Sequence, residues 1–131
     1  MYSLHVDLIE LERDEFARVV RLALRACDRP DLLLDHPLLA SRWLAARAGV
    51  TRDRLAASRA LSTALRDECR HLFASPRDQI LDRVMETTFF RPPGKQEQIA
   101  SELGLAYSTY RRYLSQAVTR LADALHARMA P

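Results

Sequence analysis

Four side chains set the first question: Ser108, Thr109, Arg111 and Arg112 stand together in "YSTYRRYLSQAVTRL". Small hydroxyls and guanidinium groups are the side chains that hold oxyanions. A planar guanidinium can grip a phosphate, or the acceptor edge of a guanine, through two parallel N–H bonds. A serine or threonine hydroxyl bonds to either. Residues 104–122 contain no Asp or Glu, so nothing within the segment neutralises Arg111, Arg112 or Arg120. A surface kept free of acids suits a polyanionic partner, because a carboxylate there would repel it.

Two helices around a turn must position these groups. "KQEQIASELG" places Ile99, Ala100 and Leu103 on one helical face. Gly104 then supplies the positive φ that a tight turn requires. The spacing predicts a second helix, capped by Ser108 or Thr109 and running to about residue 127. Its inward face is Tyr110, Tyr113, Leu114, Ala117, Val118 and Leu121. The tyrosine hydroxyls are expected to reach the surface. Ser108, Thr109, Arg111, Arg112, Ser115, Gln116 and Thr119 point outward. This is helix-turn-helix geometry, in which early residues of the second helix meet base edges in the major groove. The helix N-terminus adds free N–H groups suited to phosphate.

The stretch from about residue 72 to 125 resembles the promoter-binding C-terminal region of bacterial sigma factors and the related LuxR-type output domains. "SPRDQIL", "EQIASELGL", "STYRRYL" and "AVTRL" carry the likeness, without a gap from 99 to 121. Ile99, Ala100, Leu103, Gly104, Leu105, Tyr110, Ala117 and Leu121 fall on the framework positions. The resemblance implies base contacts from Tyr107, Ser108 and Arg112. It implies backbone contacts from Thr109, Arg111 and Lys95. Gln96, Gln116 and Arg120 complete the candidate DNA-binding set. The chain departs from that family in its proline-rich "ETTFFRPPGKQ" link and in its framework tyrosines. Residues 1–70 do not resemble the sigma segment that binds core polymerase and melts the promoter. Pieces of the chain ("RPDLL", "STYRRYL") also resemble an accessory region of larger bacterial ATPase regulators.

The remainder must support this region. The chain has 131 residues, an ordinary domain's length, and 48% of them are apolar, enough for a core. Residues 1–70 carry 12 Arg and 11 acids, and residues 71–131 carry 8 Lys+Arg and 6 acids, nets of +1 and +2. The basic excess is therefore local rather than global. A first helix is expected over about 12–27 with Asp14 as N-cap and Phe16, Val19, Val20, Ala23 and Leu24 inward. A helix is expected from about 37 to 48, ending at Gly49, with Leu32, Leu33, Leu34, Leu38, Leu39 and Trp43 forming the centre of the N-terminal core. Thr51 is expected to cap a helix over about 52–73, with Leu55, Leu61, Leu65, Cys69, Leu72 and Phe73 inward. Ser75 and Pro76 are expected to open another, striped by Ile80, Leu81, Val84 and Met85. "TTFF" is the one candidate for a short strand. "RPPGK" breaks the chain before the turn.

These elements predict an all-α fold: a helical N-terminal part, 1–73, packed on a sigma-like helix-turn-helix part of winged-helix-superfamily type, 74–131. The function expected is non-catalytic DNA binding in bacterial transcription control, with double-stranded DNA as partner. The alternative is an all-helical adaptor whose helix-turn-helix contacts a protein, such as an ATPase or polymerase component. The apolar N-terminal part could also serve a homodimer or a protein partner. No phosphate loop, nucleophile elbow or catalytic carboxylate pair is read, and no cofactor or small-molecule ligand is expected. His5, His36, His71 and His126 are scattered, so no metal site is expected. Cys27 and Cys69 are expected as core residues. No apolar run reaches the roughly 18 residues of a membrane span. The N-terminus lacks a basic leader pattern, and a cytoplasmic location is expected.

Overall fold

The computed structural model describes residues 8, 11–49, 51–92 and 94–129. Residues 1–7 and 9–10, which hold His5 and much of the stretch read for a leader, lie outside them. Six α-helices make up the fold, and among the described residues there is no strand. They are α1 (Arg13–Arg25), α2 (Arg42–Ala48), α3 (Arg54–Leu72), α4 (Gln79–Phe89), α5 (Gln96–Glu102) and α6 (Tyr107–Met129). The "TTFF" segment is helical, since α4 runs through it to Phe89. No helix is long and apolar enough to cross a membrane, among the residues described.

Helix α1 forms because Phe16, Val20, Ala23 and Leu24 recur on one face and are all buried. Asp14 is not its cap: the chain is still extended at Glu12, so Asp14 falls inside the first turn. There its charge favours the positive helix end without a hydrogen bond. The expected helix over 37–48 is split. Pro37–Ala40 makes a 3₁₀ turn, and Ser41 is extended at φ −73° and ψ 148°. Its Oγ donates to the Leu38 carbonyl at 2.7 Å and accepts from the Leu44 N–H at 3.2 Å, so one hydroxyl ends the turn and starts α2. Gly49 closes α2 at φ 78°.

Helix α3 is capped by Asp53 rather than Thr51. The Asp53 Oδ1 accepts from Leu55 and Ala56 at 3.0 and 3.2 Å, while Thr51 Oγ1 accepts from Asp53 itself. Leu55, expected inward, lies in the first turn of α3 and is 38% exposed. Leu32 is also exposed, at 60%, because the tight Pro30–Leu33 turn sends Leu33 inward in its place. Pro76 opens a 3₁₀ turn, Pro76–Asp78, and α4 begins only at Gln79. Ser75 holds the N-cap position of that turn, at φ −68° and ψ 149°, but its hydroxyl donates to the Asp78 carboxylate and accepts no backbone N–H.

Helix α6 is the centre of the packing and meets all five other helices. Its buried stripe is Tyr110, Leu114, Ala117, Val118, Leu121, Ala122, Leu125 and Met129. One continuous core joins this stripe to Phe16, Leu24, Leu33, Leu38, Leu61, Leu65, Phe73 and Met85. Residues on both sides of position 73 therefore share an interior. Cys27 and Cys69 are buried free thiols within it. Burial pushes the Cys27 thiol up to about 12 and raises Cys69 as well. Glu68 is buried to 2% exposure, with Arg128 Nη1 3.1 Å from its Oε1 but not aligned as a hydrogen bond. Arg47 stands 4.0 Å from the other oxygen, so this carboxylate ties α2 and α6 to α3.

His36 links α1 to the Pro37–Ala40 turn. Its Nε2 donates to the Val19 carbonyl at 2.9 Å, and its Nδ1 accepts from the Leu38 N–H at 3.1 Å. An acceptor Nδ1 requires the neutral ring. Burial lowers the His36 pKa, against a smaller opposing effect from the Val19 carbonyl. The folded pKa lies below the unfolded value, so the unfolded chain takes up the proton first as pH falls. Stability from His36 is thus present above the unfolded value near 6.5 and declines as pH falls toward the folded value. Thermal unfolding followed from about pH 7.5 to about 5.5 should show this decline, and His36→Asn, which keeps an acceptor but does not titrate, should flatten it.

Candidate functional site

The connection between α5 and α6 is built from local backbone bonds. Leu105 N–H reaches the Ala100 carbonyl at 2.9 Å, and Gly104 N–H reaches Ser101 at 3.0 Å. These are the paired bonds of a Schellman ending, with Gly104 in the left-handed region at φ 72°. A Cβ at Gly104 would meet nothing within 4 Å, so backbone conformation and not space demands glycine there. Helix α6 then starts earlier than expected. Its first bond runs from Tyr110 N–H to the Ala106 carbonyl at 2.9 Å, so Ser108 and Thr109 sit inside the first turn and are not caps. Ala106 has no side-chain oxygen to satisfy the free N–H groups of that turn.

Tyr110 anchors this end of the helix. It is fully buried, and its hydroxyl meets Thr88 Oγ1 of α4 at 2.7 Å, rather than reaching the surface. Burial raises its pKa, and the Thr88 bond opposes the rise. Tyr113 is half-buried. With α6 held by its inner stripe, the outer positions follow from helical spacing. Ser108, Arg111, Arg112, Ser115, Gln116 and Thr119 are exposed, and Thr109 is half-buried. Tyr107 is 41% exposed.

Arg111 is held in place. Its Nη1 donates to Gln96 Oε1 of α5 and to the Tyr107 hydroxyl, both at 3.2 Å, and its guanidinium lies 5.9 Å from the Tyr107 ring centre. Arg112 rests over Tyr113, 5.5 Å from that ring centre. Neither arginine has an ion-pair partner among the described residues. Glu102, at the end of α5, holds Arg91 at 3.0 Å; Asp123, on α6 about 16 Å along the axis beyond Arg112, holds Arg13. Glu97 stays exposed in the first turn of α5, beside Gln96. Lys95 is exposed just before that turn.

The structure thus brings Tyr107, Arg111 and Gln96 into contact, and sets Ser108, Thr109 and Arg112 in the same two turns of α6. It does not bring Arg120 to them. Both Arg120 nitrogens donate to the Asp78 carboxylate, at 2.9 and 3.0 Å, and its guanidinium covers Phe73. The Arg120 hydrogen bonds hold the Asp78 carboxyl below its usual range. Nothing near Arg120 in the chain signals this pairing, because Asp78 lies 42 residues earlier. Among the described residues, no three His, Cys, Asp or Glu side chains are grouped to hold a metal ion.

Removing one hydroxyl tests the anchor. Tyr110→Phe should lower unfolding stability by about 1 kcal/mol, measured by urea denaturation, because Thr88 keeps a part-buried hydroxyl without its partner. No change would mean that the Thr88 bond does not hold α6 to α4. As for likeness to other proteins, no family model, curated protein or solved structure matches this chain.

Proposed function

We propose that this protein binds double-stranded DNA through a sigma-like helix-turn-helix formed by α5 and α6, and that it acts in bacterial transcription control without catalysis. One observation carries the reading: the first turns of α6 present Ser108, Arg111, Arg112 and Gln116 to solvent with no carboxylate paired to either arginine among the described residues. An α-helix about 10–12 Å wide fits a major groove about 12 Å wide. The outward face of the first turns of α6 is the part presented to it.

Arg112, Ser108, Tyr107 and Gln116 face outward along α6 and read base edges. Arg111, Thr109, Lys95 and Gln96 flank them and hold phosphates. The Gln96 and Tyr107 bonds pre-orient Arg111, so less side-chain entropy is lost when it meets an anion. Arg120 leaves the contact set, because Asp78 already occupies both of its terminal nitrogens. Its role is to tie the Pro76–Asp78 turn to α6.

Fluorescence anisotropy against a randomised duplex pool, at roughly 50 and 200 mM salt, tests the reading. Wild-type affinity should fall steeply with salt. Arg111→Ala should weaken binding to all sequences and reduce the salt slope by about one. Arg112→Ala should cost about 1–3 kcal/mol on a selected site and flatten sequence preference. Arg120→Ala should leave the salt slope unchanged. Equal affinity of the wild type and the Arg111→Ala/Arg112→Ala variant for every duplex would overturn the proposal.

A further inference from the structure

A second surface stands apart from the α5–α6 turn. Between α2 and α3 run three adjoining hollows of about 460, 320 and 350 Å³. The first two share Leu39, Ala40, Thr51 and Ala57, and the last two share Ala48 and Ala60, so together they form one trough. Its reach along α3, from Arg54 to Asp67, corresponds to about 20 Å, between three and four helical turns. The trough exists because the facing side chains are small. Ala48 on α2 and Ala57, Ala60 and Ala64 on α3 leave depth that larger residues would fill, and Leu39 and Leu44 make the rest of the floor apolar.

The electrostatic frame is basic. Residues 34–67, the span that lines the trough, contain Arg42, Arg47, Arg52, Arg54, Arg59 and Arg66 against Asp35, Asp53 and Asp67, a net of +3. Asp53 is spent as the cap of α3. Arg47, Arg52 and Arg54 stand on the trough walls. Arg52 there has no ion-pair partner among the described residues, whereas Arg47 stands 4.0 Å from Glu68. The two acids on the walls lie at opposite ends: Asp35, already paired with Arg54 at 2.8 Å, and Asp67.

We propose that this trough receives an acidic amphipathic helix of a different protein, whose apolar stripe packs on the alanine floor while its carboxylates meet the arginines. Small residues let a helix approach closely, and a stripe at i, i+3, i+4, i+7 and i+11 runs along three turns of floor. Charge decides between the possible occupants. A second copy in a two-fold arrangement would set the same basic face against itself. A nucleic-acid backbone would bring charge but nothing apolar for the floor. An acidic helix satisfies both halves of the surface. The interaction is independent of DNA binding, and it gives the N-terminal helices a recruiting role.

A displayed library of random peptides of about 16 residues, each about 24 Å long as a helix, panned on the full chain tests this directly. Enriched sequences should be net acidic, with apolar residues at helical spacing. Their binding should fall at least about tenfold on Ala57→Trp, which fills the trough, and on Arg52→Glu, a charge reversal on the exposed wall. The Arg111→Ala/Arg112→Ala variant should bind them as the wild type does, which separates this result from any failure of the DNA reading. Circular dichroism of each variant establishes that it is folded, and Arg52→Glu serves if Ala57→Trp is not. The proposal is overturned by a lack of enrichment, by enrichment without the acidic apolar pattern, or by binders indifferent to the folded variants. Sedimentation showing a wild-type dimer that Ala57→Trp dissolves would assign the trough to a second copy and equally overturn it.

Discussion

Burial of one apolar stripe, the inner face of α6, is the constraint on which the rest depends. The helix spans 23 residues, and the other five helices all pack on it. Tyr110, Leu121 and Leu125 are fully buried, so α6 has little freedom to rotate about its axis. Rotation by even one residue, about 100°, would drive Arg111 into the core and Tyr110 into water. The stripe therefore fixes which side chains face solvent at the other end of the same helix. Packing energy in the interior becomes positional accuracy at the surface.

Charge pairing completes what packing begins. The chain has 20 basic and 17 acidic residues, and several acids near α6 are drawn away to structural pairs. Asp78 takes Arg120, Asp123 takes Arg13, and Glu102 takes Arg91. Exposed pairs of this kind add little stability. Each pair sets its carboxylate against a scaffold arginine, and Arg111 and Arg112 have no acidic partner among the described residues. Those arginines lean instead on tyrosine rings and on the Gln96 amide, which orient a guanidinium without cancelling its charge.

The two surfaces differ in shape and in chemistry. The outer face of early α6 is convex, polar and basic, which suits the inside of a groove. The α2–α3 trough is concave, with an apolar floor and a basic frame, which suits a partner that brings its own apolar side chains. One continuous core joins the elements that carry both. The surface proposed for DNA and the surface proposed for a protein partner thus rest on the same interior.

Much of this was legible in the chain because it is decided locally. The apolar spacing of α6, the breaker at "RPPGK" and the turn at Gly104 all arise from interactions within a few residues. A Schellman ending needs only a positive φ and two bonds spanning four and five peptide units or fewer. The inward and outward positions of α6 followed from the same short-range periodicity. Helix starts were less legible, because Asp53 and Thr51, or Glu12 and Asp14, compete for one cap within two residues. What tertiary structure alone decided were the long-range partnerships. Arg120 with Asp78, Tyr110 with Thr88 and Arg13 with Asp123 lie 42, 22 and 110 residues apart. No local pattern announces such pairs, since only helix packing brings their elements together. The sequence alone could therefore count three arginines in an acid-free window, but only the folded chain determined that one was spent on the scaffold and two were left facing outward.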